Sequence, residues 1–275
     1  MNPPFDQFNF ASTRWQAGNA ICLAAAAKLA YETRDVIDAG VKAWGFGRST
    51  YLTSPVGVEW DTQLYVASNA DIVLVAFRGT QPDQLKDWIT DCDCVLAKSP
   101  VGGVHFGFWA ALESVWDDLV DAVNQHQDRG QSLWFTGHSL GAALASLAVA
   151  RYRLELKPIY SLYTFGSPRA GDPDFGERFD ADFGEFSFRY VNNSDAVTRV
   201  PSREMGYSHI GTTLTFDARG QIHSDIHFWN RFLESVKGDV HEFLEGKFAV
   251  FEDHRIIHYL ANAEKNAKTN PFKEQ

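Results

Sequence analysis

"LWFTGHSLGAALASLAVARY", Leu133 to Tyr152, decides the fold. An apolar run of strand type, Leu133 to Thr136, enters Gly137-His138-Ser139-Leu140-Gly141 and leaves as an Ala- and Leu-rich helix former. G-x-S-x-G recurs by chance in about one chain in ten of this length, so the motif gains its meaning from context. A strand before it and a helix after it are what a sharp turn presenting a serine requires. Glycines at 137 and 141 lack the Cβ that would block such a turn, and Ala142, Ala143 and Ala145 keep the junction slim. The helix N-terminus then points at Ser139, with the Leu140 N–H as the natural first donor to a developing oxyanion. Ser139 is read as a nucleophile or, failing that, as a small turn residue. His138 is too close in sequence to serve as its base, because neighbouring residues at such a turn point apart, and it is read as structural.

Working outward, two β-like runs, "TQLYVAS" and "DIVLVAF", flank Asn69-Ala70 as an early hairpin. A helix is expected over Phe108 to His126, with Leu112, Val115, Trp116, Leu119 and Val123 at helical spacing. "IYSLYTF" and "FSFRYV" supply two more strands. Alternating strands and helices predict an α/β fold with a mostly parallel central sheet flanked by helices. Near the N-terminus, Leu23, Ala26, Ala27 and Ala30 repeat as an amphipathic helix of the same fold. No linker or repeat divides the chain, so residues 1–275 are expected to form a single domain with a polar tail over about 264–275.

The 275 residues are 45% apolar or aromatic-apolar, enough for a sizeable core, and carry a formal net charge of −10. That charge argues against a nucleic-acid partner and gives no attraction to anionic lipid, so any membrane contact is expected to be apolar. The stretch from Ala20 to Ala30 is too short to span a bilayer and contains Lys28, and no basic start precedes it as in a signal peptide. The expected location is cytoplasmic, or exported without a recognisable signal. Three cysteines, Cys22, Cys92 and Cys94, fit neither a disulfide framework nor a zinc pattern, and neither metal nor organic cofactor is expected.

On this architecture the acid and then the histidine follow the nucleophile in the chain. Asp195, just after the strand-like "FSFRYV", is placed at the carboxyl edge of the sheet, whereas Asp172, Asp174, Asp180 and Asp182 sit in turn-rich surroundings suited to caps and solvated loops. Among six later histidines, His223 and His227 lack the further ligands of a metal site. His254 opens the last helical stretch, "HRIIHYLANA", and is the first choice for the base, with His258 one turn later as the alternative.

Taken together, "VAFRGT" (Val75–Thr80), "DWITD" (Asp87–Asp91), "VHFGF" (Val104–Phe108), "TGHSLGAA", "TFGSPRAGD" (Thr164–Asp172), "RYVNNSDAVTRVP", "GYSHIG" (Gly206–Gly211) and "DHRIIHYL" (Asp253–Leu260) resemble the class 3 lipase family, the fungal-type triacylglycerol lipases of the α/β-hydrolase superfamily. The resemblance covers about two-thirds of the chain. It implies Ser139 as nucleophile, Asp195 as orienting acid, His254 as general base, and Thr80 beside Leu140 as oxyanion donor. It assigns His105, His209 and Arg169 to scaffolding.

In that family the stretch after Thr80 is a helical lid, here about 81–96; Leu85, Trp88 and Ile89 fall on one face of it, and Pro82 suits a first helical position. By pattern alone an ordinary docked surface helix fits equally. Phe106, Trp109, Val197 and Val200 are candidates for lining an acyl groove. The implied activity is serine hydrolysis of acylglycerol esters, with a lipid ester as partner, dissolved or at a lipid–water interface. Phospholipase A1 or galactolipase chemistry on the same triad, and a catalytically silent interaction protein, are the alternatives.

Overall fold

The computed structural model describes residues 4–81, 84–85, 94–154, 158–193, 195–224 and 252–272. Its centre is an eight-stranded sheet in the order β1-β2-β3-β6-β7-β8-β9-β10. The strands are β1 (Arg48–Thr53), β2 (Gln63–Ser68), β3 (Ile72–Phe77), β6 (Ser132–His138), β7 (Ser161–Phe165), β8 (Ser187–Asn192), β9 (Thr212–Phe216) and β10 (Ile222–His223). β1, β2 and β3 pair antiparallel. From β3 through β6, β7 and β8 to β9 every pairing is parallel, and β10 closes the far edge antiparallel. The expected hairpin at Asn69 is present, with the Asn69 side chain accepting from the Asp71 and Ile72 N–H groups at 2.9 and 3.0 Å. A separate ribbon, β4 (Leu96–Ser99) with β5 (Gly102–His105), stands beside the sheet.

The parallel strands read as unbroken apolar runs because both faces are covered. In β3, Val73, Val75 and Phe77 enter one core while Ile72, Leu74 and Ala76 enter the other. The first core is closed by α3 (Phe106–Glu113), α4 (Trp116–His126), α5 (Leu140–Leu154) and α6 (Pro173–Phe183). The second is closed by α1 (Ala17–Leu29), α2 (Arg34–Ala43) and α7 (Ile256–Lys265).

Three expectations change. The helix drawn over Phe108 to His126 is two helices, because the Ser114 hydroxyl bonds back to the Ala111 carbonyl at 2.7 Å and Val115 leaves helical geometry between them. α1 is not amphipathic. Asn19 to Ala24, Ala26 and Ala27 are all buried, since α1 packs on the sheet, on α7 and on the short turn Pro4–Gln7 at once, and alanine spacing cannot reveal cover on several sides. The polar stretch from 264 is also docked at its start. α7 runs to Lys265, and buried Asn266 bonds the Ile222 N–H and the Gly220 carbonyl.

Candidate active site

Strand register gathers the site. β3 and β6 run parallel with Phe77 opposite Gly137, so the loop Arg78-Gly79-Thr80 lies beside the turn that follows His138. β6 ends at His138 and α5 begins at Leu140, leaving Ser139 alone between them at φ 59°, a left-handed conformation that is strained for any residue with a Cβ. The glycines explain how helix and strand meet so closely. A Cβ on Gly137 would strike the Gly141 carbonyl, and one on Gly141 would strike the carbonyl of Phe77. The Ser139 N–H is held by the Phe165 carbonyl at 3.0 Å, and the first bonds of α5 run from Ala142 and Ala143 to the Ser139 carbonyl. The Leu140 N–H therefore precedes the helical ladder, where an anion is favoured.

Asp195 follows β8 and His254 precedes α7 by two residues, with Arg255 as the helix cap. His254 thus lies in the loop before the last helix rather than in its first turn. Asp195 is fully buried and His254 is 3% exposed, and Asp195 Oδ2 lies 2.8 Å from His254 Nδ1. Tyr259 donates its hydroxyl to the same Oδ2 at 2.6 Å, and the Val197 N–H donates to Oδ1 at 2.9 Å. Three donors on one buried carboxylate fix its plane. Gly166 (φ 61°) closes the arrangement, since a Cβ there would lie 2.9 Å from both Asp195 Oδ2 and His254 Cε1.

Ser139 Oγ, His254 Nε2 and Thr80 Oγ1 are all buried without a hydrogen-bond partner among the described residues. A buried polar atom ordinarily finds one, so three in one place mark a site built to receive a polar group that is not its own. A cavity of about 440 Å³ opens here, lined among others by Tyr31, Thr80, Leu85, His138, His254 and Ile257. Leu85 is buried against it. Trp88, Ile89 and most of the expected lid lie outside the described residues.

The remaining sequence candidates separate cleanly. Asp172 caps α6 through the Phe175 N–H at 2.8 Å, Asp174 pairs with Arg178, Asp180 accepts from the Gly211 N–H at 2.6 Å, and Asp182 pairs with Arg153. His258 is half-buried, 3.7 Å from Glu252, and His223 lies 3.3 Å from Asp217; His227 is outside the described residues. Of the acyl-groove candidates Phe106 is exposed, Trp109 and Val200 are half-buried, and Val197 is fully buried under Asp195. Arg169 donates to the carbonyls of Arg199 and Pro201, tying down the loop that carries Asp195, and burial lowers its guanidinium to about 10. His209 is held well below the usual histidine range by burial and by Arg189 and Arg169 nearby. His105 stacks on Phe108 with ring centroids 3.8 Å apart. His138 is enclosed and bonded on both ring nitrogens, in keeping with a structural reading.

Sequence reasoning missed Tyr259, Gly166 and Tyr31. Gly166 and Tyr259 stand inside quoted motifs, but nothing in a motif says that one must be bare and the other must reach a carboxylate.

Residues 74–205 match the class 3 lipase family model. A secreted mono- and diacylglycerol lipase of Penicillium cyclopium is 33% identical over 165 residues, covering 54% of this chain and 50% of the relative. A triacylglycerol lipase of Arabidopsis thaliana is 28% identical over 248 residues, covering 70% and 48%. The chain spans about half the length of these curated relatives. Lipase II from Rhizopus niveus superposes with a TM-score of 0.60 at 26% identity, covering 71% of this chain and 78% of that one. A triacylglycerol lipase whose catalytic centre is a serine-protease triad gives 0.60 at 25%, covering 70% and 77%. The sheet is that of the α/β-hydrolases, and the motifs from Val75 to Pro201 fall where the family model matches, in a stretch of the chain that is similar to the class 3 lipases.

Proposed function

We propose that the chain hydrolyses carboxylic esters of acylglycerols, with Ser139 as nucleophile, His254 as general base and Asp195 as the carboxylate that orients it. The observation that carries this is the buried 2.8 Å bond between Asp195 and His254 beside a strained serine whose hydroxyl has no partner. Asp195 accepts from Nδ1–H and so leaves the lone pair on Nε2. Ser139 Oγ attacks the ester carbonyl and its proton passes to His254 Nε2. The oxyanion is met by the Leu140 N–H and by the N–H and hydroxyl of Thr80. The Ser139 N–H cannot join them, being spent on Phe165. His254 returns its proton to the departing alcohol; water then attacks the acyl-enzyme, giving its proton to His254, which passes it to the departing Ser139 Oγ as the acid is released.

The names of the relatives and the apolar wall of Leu85, Ile256 and Ile257 support an acylglycerol as the ester. Leu85, buried against the cavity, supports reading 81–96 as a lid that opens at a lipid surface. The test is hydrolysis of mono-, di- and tributyrin from below to above the solubility limit, with Ser139→Ala as blank. Wild-type turnover absent from the blank is expected, with a jump when droplets form. Cleavage of phospholipid or galactolipid alone would move the substrate to those classes. Folded protein that neither turns over esters nor labels with a fluorophosphonate would overturn the enzyme reading.

A further inference from the structure

On the side of the site away from Asp195 runs a second hydrogen-bonded chain that the steps above leave unused. The Tyr31 hydroxyl lies 2.7 Å from His138 Nδ1, and His138 Nε2 lies 2.6 Å from the carbonyl oxygen of His254. A carbonyl only accepts, so Nε2 carries the proton, Nδ1 keeps the lone pair, and Tyr31 donates to it. Burial and the neighbouring His254 hold His138 well below the usual histidine range, which keeps it in that neutral form. The two rings stand 4.5 Å apart, so a neutral His138 leaves the base free to take up a proton without a like charge beside it.

The same tyrosine oxygen reaches the oxyanion loop. It lies against the Gly79 backbone. A Cβ on Gly79 would clash with Tyr31 Oη and with the His138 carbonyl, and would lie 3.0 Å from Ser139 Cβ. One hydroxyl thus touches the segment that leads into Thr80 and, through one imidazole, the backbone of the base.

Resting on the hydrolase reading, we propose that Tyr31 and His138 are a positioning pair: Tyr31 fixes the His138 tautomer and the Gly79–Thr80 backbone, His138 anchors the His254 backbone, and base and oxyanion donors are thereby held in register. Asp195 sets the plane of the imidazole from one side, and the pair sets the height of its backbone from the other. A tyrosine that merely filled space would change the fraction of molecules with an intact site, but not the rate of each intact site.

The experiment measures kcat and KM on p-nitrophenyl butyrate for the full chain and for Tyr31→Phe, His138→Gln and the double variant, each expressed per active site titrated with a fluorophosphonate. Tyr31→Phe is expected to lower kcat about tenfold with KM little changed, because the loss is one of alignment. The losses in the double variant are expected to be less than multiplicative, since part of the tyrosine's effect runs through the histidine. A Tyr31→Phe variant with the wild-type kcat per titrated site, or losses that multiply in the double variant, would overturn the pair. Should His138→Gln not fold, Tyr31→Phe decides alone, by its kcat and by the His138 Nε2–H resonance, whose protection from exchange it is expected to weaken. A wild type that neither turns over nor labels would instead remove the hydrolase reading on which the pair depends.

Discussion

Tyr259 donates its hydroxyl to Asp195 Oδ2 at 2.6 Å while accepting the Asn192 N–H at 2.9 Å, so a single tyrosine on α7 joins the acid to the end of β8. Tyr259→Phe removes a bond to a charged group and leaves a buried N–H unpaired. We expect a stability loss of about 1.5–3 kcal/mol and a kcat lowered about tenfold. Chemical denaturation and steady-state kinetics on a soluble ester check both, and wild-type values for both would show that Asp195 is held without it.

Gly166 provides a sharper contrast. At φ 61°, and with Asp195 and His254 both 2.9 Å from where a Cβ would stand, Gly166→Ala must push the acid and base apart. Activity is expected to fall at least about a hundredfold. Gly57 has φ 92° and open space around it, so Gly57→Ala isolates the backbone penalty, about 1–2 kcal/mol, with activity intact.

The strain at Ser139 has a measurable sign. Ser139→Gly relieves the left-handed conformation and removes a hydroxyl that has no partner, so the variant is expected to be more stable by about 1 kcal/mol and to lack turnover. Calorimetry should show a melting temperature higher by about 2–4 °C for a chain of this size. A lower one would place the conformational cost elsewhere.

Three histidines set the acid response. His126, His138 and His209 are all held below the ordinary value of 6.5, in each case first by burial. Above that pH folded and unfolded chains carry the same protons on these groups. Below it the unfolded chain binds protons that the folded one refuses, so stability falls as pH drops, by about 1.4 kcal/mol per unit for each proton of difference. Melting curves between pH 8 and 5 are expected to decline from near 6.5 downward. His138→Gln, where it folds, should flatten the decline.

Much of this was legible in the chain. The run into Ser139, the two glycines and the helix beyond state a strand–turn–helix unit locally, because each requirement is steric and lies within a few residues. The order of strands in the sheet and the approach of Asp195 to His254, 59 residues apart, are not local facts. Their candidates come from position, which already puts His254 ahead of His258, and from the family resemblance. Tyr259 was hidden for a physical reason, since a buried tyrosine at helical spacing reads as core whether or not its hydroxyl has a target. α1 misled in the opposite way, because alanines give one pattern for a helix covered on one side and for a helix covered on several.

Loop after loop, the site is written along the chain in the order Thr80, Ser139, Asp195, His254, and the Asp195–His254 bond forms only when the segment entering α7 settles against β8. During synthesis the nucleophile therefore leaves the ribosome well before its base. A nascent chain made only as far as Asp195 would, on the proposed mechanism, lack His254, the group that takes the serine proton. If Asp195 and His254 act as proposed, ester cleavage waits until the segment entering α7 has settled against β8, and the fold itself sets when the serine becomes reactive.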